Sequence, residues 1–218
     1  MPRQGDKVVA RGGRPSRADA LRLRERILTT ATELFLAEGY GSTSIESVAK
    51  RAGVSKRTLY DRFDDKSALF TAVVHRIIER IRPPPDVALV EGDTLAAILR
   101  RLALLILNAA LSPQAIALHR LVNAEAARFP ELVRAVASDG STREATELIG
   151  SLIEQKLGDV TLSAASREFA ASQFIFMVVT LPQRRAMGFG TPMTPAELDT
   201  WADNVVGLFL EGCRGLGA

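Results

Sequence analysis

Lys56 and Arg57 follow directly on Ala52-Gly53-Val54-Ser55 and open a short helical segment at its unfavourable end. A cation beside the positive end of a helix dipole costs up to about 1 kcal/mol and does nothing for folding. A local rule broken without gain to the fold points to work outside it. Lys and Arg at such a place can donate to guanine O6 and N7 or to phosphate oxygens. A solvated basic turn is the alternative that these two residues leave open. Other chemistry is poorly provided for. The single cysteine, Cys213, excludes an internal disulfide and a Cys-rich zinc site, and it reads as an inert thiol near the chain end. His75 and His119 stand far apart without carboxylate-rich spacing, so no metal centre and no cofactor is expected. No Gly-rich phosphate loop or nucleophile elbow occurs, and two histidines are the only ordinary general bases near neutral pH. An enzyme is not expected.

The elements that would position Lys56 and Arg57 are legible around them. Thr43-Ser44-Ile45-Glu46 has the form of a capping box, with Thr43 as N-cap and Glu46 returning to its N–H. The helix it opens turns Ile45, Val48, Ala49 and Ala52 inward and ends at Gly53, where a left-handed residue is needed. Ser55 caps a second helix, Lys56 to about Arg62, with Leu59 and Phe63 inward. Upstream, Ile27, Ala31, Leu34 and Phe35 mark a helix running from Ala18 to a stop at Gly39. Downstream, Leu69, Phe70, Val73, Val74, Ile77 and Ile81 stripe a helix that starts at Lys66 and halts at Pro83-Pro84-Pro85. Two short helices joined by a tight turn make a helix-turn-helix, whose second helix enters the major groove.

The rest of the chain supports an all-α fold. Its 218 residues include 31 Ala and 27 Leu, while aromatics are only 6%, which disfavours a sandwich or barrel. Helices are expected at about 94–111, 114–128, 131–138, 141–157, 163–187 and 196–213. Residues 163–187 and 196–213 are apolar enough to require cover on every side. The apolar run Leu102–Leu111 is too short to span a bilayer and contains Asn108, and no secretory leader is visible, so a cytoplasmic protein without a membrane partner is expected. Charge is uneven: residues 1–66 carry 14 Lys and Arg against 9 Asp and Glu, and the remainder is slightly acidic. A polyanion partner at one end fits this asymmetry, and so does a merely solvated basic tail. Three parts are expected: a disordered basic arm over 1–17, a DNA-binding helix-turn-helix domain over 18–82, and a helical domain over 83–218.

The residues Ala31-x-x-Leu34-Phe35, Gly39-Tyr40, Thr43-Ser44-Ile45, Val48-Ala49, Ala52-Gly53-Val54-Ser55, Thr58-Leu59-Tyr60, Phe63 and Lys66-x-x-Leu69 resemble the DNA-binding domain of TetR/AcrR-type transcriptional regulators. Glu125 to Leu132, EAARFPEL, resembles a motif of one C-terminal subgroup of that family. The resemblance implies an N-terminal three-helix DNA-binding domain, a C-terminal ligand-binding and dimerisation domain, and a homodimer on a double-stranded palindromic operator. It implies a repressor released by a small-molecule effector. By position, Thr43 would be a phosphate contact, and Lys56, Arg57 and Thr58 would face the groove. Tyr60 would touch phosphate or thymine, and Lys66 phosphate. Asp61 departs from a purely basic pattern. A packed Tyr60 and a solvated Lys66 are the plain alternatives. Arg11, Arg14 and Arg17 could serve as a minor-groove arm. For an apolar effector, the candidates are apolar-helix residues with a polar or polarisable tip, namely Asn108, His119, Asn123, Gln173, Phe174 and Met177. A DNA-binding regulator without an effector is the other reading, and operator and regulated genes are not written in the sequence.

Overall fold

The computed structural model describes residues 16–82, 94–157 and 162–216. Within them the chain forms ten α-helices and no strand. They are α1 (Arg17–Glu38), α2 (Ile45–Ala52), α3 (Lys56–Tyr60), α4 (Lys66–Ile81), α5 (Leu95–Ala110), α6 (Pro113–Glu125), α7 (Glu131–Ala137), α8 (Ser141–Lys156), α9 (Ala164–Arg184) and α10 (Pro195–Leu216). No single helix among the described residues is long and apolar enough to cross a membrane.

Side-chain caps set most of the starts. Ser16 Oγ accepts from the Asp19 N–H at 3.1 Å, so Arg17 is the first exposed residue of α1. This corrects the expected arm at its last residue, while Arg11 and Arg14 lie outside the described residues. The N-cap of α2 is Ser44, not Thr43. Ser44 accepts from the Ser47 N–H at 3.0 Å, and Ser47 Oγ accepts from the Ser44 N–H at 3.1 Å, so the box closes with Ser47 and not with Glu46. Ser55 Oγ caps α3 through the Thr58 N–H, and Asp65 Oδ1 caps α4 through the Ala68 N–H at 2.7 Å. Gly53 closes α2 at φ 65°, the left-handed conformation that a residue lacking Cβ takes at least cost.

Packing divides the molecule into two cores. The first joins α1–α4 (Ile27, Phe35, Val48, Leu59, Phe70, Ile77) to Leu118 and Leu121 of α6 and Leu132 and Ala135 of α7. The second joins α5, α8, α9 and α10 through Leu99, Leu107, Ile153, Phe174, Val178, Val206 and Phe209. By packing, α6 and α7 therefore belong to the N-terminal core. Their stripes are apolar in the same way as their neighbours', so periodicity alone assigns them to neither side.

Two buried polar arrangements hold helices in register. Arg76 of α4, its side chain only 7% exposed, reaches α1: its guanidinium donates to Glu25 Oε2 at 3.1 Å, Thr29 Oγ1 at 2.6 Å and Thr32 Oγ1 at 3.4 Å. A buried cation is tolerable only with such partners. In α9, Pro182 has no N–H to offer the carbonyl of Val178 one turn earlier. Trp201 of α10 supplies the missing donor, its Nε1 lying 3.0 Å from that oxygen. Beyond Pro182 the helix widens into a π-helical turn, Arg185–Phe189, that ends the segment expected as one helix to 187.

Candidate nucleic-acid interface

The turn Gly53–Ser55 sets α3 against α2, and Leu59, fully buried, anchors α3 on the first core. With Leu59 inward, Lys56, Arg57 and Tyr60 lie on the exposed side. Tyr60 is 43% exposed and carries the Lys56 ammonium 5.8 Å above its ring, so it is not the packed aromatic that was the plain alternative. Thr58 is half-buried, and its hydroxyl shares a 2.8 Å hydrogen bond with Ser55 Oγ. Lys56 pairs with Glu46 across the α2–α3 turn, and this carboxylate raises the lysine pKa. Lys56 therefore has a partner within the fold, which weakens the dipole argument for it. The argument stands for Arg57, whose guanidinium has no ion-pair partner among the described residues.

Thr43 is corrected as a phosphate contact. The residue is 1% exposed, and its hydroxyl donates to the Gly39 carbonyl at 2.8 Å, closing the end of α1. Lys66, half-buried, has partners of its own within the fold. Its ammonium lies 4.3 Å over the Tyr40 ring, 5.9 Å from that of Phe129, and 3.5 Å from the Gly41 carbonyl. Desolvation there lowers its pKa, opposed by the nearby charges of Glu125 and Glu131. It serves a junction between α4 and the α6–α7 corner, where a phosphate would have to draw it away.

At that junction lie motif residues whose role the sequence does not disclose. Glu125 Oε1 accepts from the Tyr40 N–H at 2.8 Å, and Oε2 from the Gly41 N–H at 2.7 Å. The Tyr40 hydroxyl donates to Glu131 Oε1 at 3.1 Å, and burial pushes its pKa well above the usual tyrosine range, so it stays a donor. Phe129 meets the Tyr40 ring edge-on at 5.1 Å. The signal was present as a tyrosine between two glycines, Gly39 and Gly41, whose purpose only the distant EAARFPEL segment explains.

The six proposed effector residues divide between exposed and core positions. Asn108, His119, Asn123 and Gln173 are exposed, and Asn123 points its amide at Met187 Sδ. Phe174 is fully buried with its ring 4.9 Å from Phe209, and Met177 packs against the second core. A polar tip on an apolar helix marks a face boundary as readily as a pocket. A groove of about 530 Å³ opens elsewhere, between α6, α7, α8 and α9. Val122, Val133 and Val136 form its apolar wall, and Thr146, Glu168 and Ser172 its polar side. Cys213 is buried, which pushes its thiol pKa up. Among the described residues no group of three His, Cys, Asp or Glu could hold a metal ion.

Comparison with known proteins converges on one family. Residues 27–73 match the family profile "Bacterial regulatory proteins, tetR family", and residues 97–212 match "AefR-like transcriptional repressor, C-terminal domain". The chain is 36% identical over 80 residues to the HTH-type transcriptional activator FasR of Mycolicibacterium smegmatis and 40% identical over 60 residues to the regulator AcrR of Shigella flexneri. These matches cover 36% and 28% of this chain, and the same shares of the two relatives, so the chain spans about a third of the length of each. Solved structures match over nearly the whole chain. A TetR-family transcriptional regulator from Mesorhizobium loti is 31% identical, with 90% of this chain and 98% of that one covered, at TM-score 0.69. The flavonoid-responsive regulator FrrA is 26% identical, with 88% and 96% covered, at TM-score 0.70.

Proposed function

Because the chain belongs to the TetR family of transcriptional regulators, we propose that it is a repressor that binds a palindromic operator as a homodimer and leaves it on binding a small apolar effector. The observation that carries the DNA-binding part is the outward side of α3, where Arg57 has no ion-pair partner among the described residues and Lys56 and Tyr60 flank it. Arg57 donates to a base edge, Lys56 exchanges Glu46 for DNA, and Tyr60 and Thr58 support the backbone contact. Residues 18–82 act as the reading domain and 83–218 as the effector and dimerisation domain, with α6 and α7 packed across the boundary. The protein works in the cytoplasm and catalyses no reaction. Minor-groove contact by Arg11 and Arg14 is part of the same proposal.

Dimerisation is supported by apolar side chains that α9 and α10 leave in water. Phe176 is 60% and Leu208 68% exposed, and Phe169 continues the α9 stripe. A second copy covers this stripe as a four-helix contact. The groove beside Val122, Val133 and Val136 suits a mostly apolar ligand with a few polar handles, and the flavonoid response of FrrA fits that class. Repression is the reading favoured by the AefR-like repressor profile, with the FasR activator as the contrary instance.

Selection of bound fragments from genomic DNA at near-physiological salt tests the reading. A two-half-site sequence should emerge, and Arg57→Ala should relax preference at one position per half-site at a cost of about 1–3 kcal/mol. Recovery of fragments without a shared sequence would refute it. A regulator without an effector remains the second reading. It is preferred if apolar ligands that fill the groove leave operator affinity unchanged, since coupling is reciprocal.

A further inference from the structure

The turn that leads into α2 is held from α6, a helix 85 residues further along the chain. Glu125, the last residue of α6, places both carboxylate oxygens on consecutive backbone N–H groups, Tyr40 at 2.8 Å and Gly41 at 2.7 Å. Charge-assisted bonds of this kind are short and directional. The flanking residues leave room for little else. A Cβ on Gly39 would stand 2.6 Å from Glu125 Oε1, and one on Gly41 would stand 3.1 Å from Oε2 and 3.2 Å from Phe129. Glu131, at the start of α7, takes the Tyr40 hydroxyl, and the Lys66 ammonium covers the Tyr40 ring from α4.

The same two helices wall the effector groove. Val122 lies one turn before Glu125 on α6, and Val133 and Val136 lie within two turns of Glu131 on α7. The groove wall and the grip on the turn thus share one corner of the fold. We propose that Glu125 is the positioning residue through which the α6–α7 corner fixes the angle of the helix-turn-helix, and so the spacing of the two recognition helices in the dimer. Release of its two bonds frees that angle without altering the surface of α3. This rests on the dimeric, operator-binding reading above.

Glu125→Gln tests it, because the amide keeps the shape but can accept only one of the two N–H groups. The full-length variant is first checked for an unchanged circular dichroism spectrum, and Tyr40 and Gly41 amide hydrogen exchange is measured. Affinity is then measured for the operator recovered by genomic selection, for a single half-site, and for operators with the half-sites moved apart in single-base-pair steps. Wild type should prefer one spacing on the order of tenfold, and Glu125→Gln should lose most of that preference while half-site affinity stays within about twofold. Amide exchange at Tyr40 and Gly41 should rise in parallel. Intact spacing preference with faster amide exchange would overturn the proposal, as would unchanged exchange. An equal loss on half-site and full-site DNA would reduce Glu125 to a folding role. Should Glu125→Gln fail to fold, Glu125→Asp, whose shorter side chain draws the carboxylate back from the Tyr40 and Gly41 N–H groups, carries the same spacing and exchange tests and is read by the same outcomes. If wild type itself shows no spacing preference, the dimeric operator reading falls, and the proposal with it.

Discussion

Replacing Trp201 by Phe should destabilise the protein chiefly through an atom that the substitution does not touch. The indole N–H is the donor that Val178 O receives in place of the N–H that Pro182 lacks. Val178 is fully buried, so water has poor access to the orphaned carbonyl. Leaving such a group unpaired costs about 1–3 kcal/mol, in addition to the smaller ring's lost packing. For a chain of this size each kcal/mol moves the midpoint by roughly 2–4 °C, so a loss of about 2–12 °C is expected. Circular dichroism is the suitable probe, because the variant loses its tryptophan. The packing loss can be separated from the hydrogen bond by repeating the substitution in a Pro182→Ala background. Alanine restores the helical N–H to Val178 O, and the ring's volume change is common to both arms. A coupling energy of at least about 1 kcal/mol is expected in this cycle. If Trp201→Phe costs the same in both backgrounds, within about 0.5 kcal/mol, the carbonyl is not what the indole serves.

Leu208→Lys should yield a folded monomer, whereas Phe209→Arg should unfold the chain, because Phe209 is 5% exposed and its ring packs tilted against that of Phe174; sedimentation and circular dichroism of both variants separate an interface residue from a core one. Ser44→Ala should cost about 1 kcal/mol as a lost N-cap and Thr43→Val should leave operator affinity intact, an outcome readable by melting and by DNA titration. Glu25→Ala should strip the buried Arg76 guanidinium of its counter-charge; because Glu25 is 55% exposed, the expected loss in denaturant unfolding is about 1–2 kcal/mol, below that of a fully buried pair.

The helices and their breaks were legible because their causes are local. Gly53, Ser55 and Pro113 act within a turn of themselves, and the buried stripe of α4 repeats at helical spacing. The choice between Thr43 and Ser44 as cap was not legible, since two adjacent hydroxyl residues offer the same chemistry. The end of α1, whose carbonyl Thr43 takes, decides between them. The setting of Lys66 was not legible for a similar reason: the rings its ammonium lies over, Tyr40 and Phe129, are 26 and 63 residues away in the chain. A ligand groove was not legible because periodicity marks which side of a helix is apolar and not where two helices part. Glu125 was visible as part of a motif, but its partners are backbone N–H groups, which no sequence pattern displays.

The two-core organisation has a spectroscopic corollary. The only tryptophan, Trp201, sits against the second core, while both tyrosines belong to the N-terminal part, Tyr40 within the first core and Tyr60 on the recognition helix. Indole emission is accordingly blind to the reading domain, and tyrosine absorbance is nearly blind to the α9–α10 pair. The two chromophores divide the molecule as its packing does. Followed together through a melt, they report whether the halves part company, and coincident transitions would mean that the α6–α7 corner keeps them one cooperative unit.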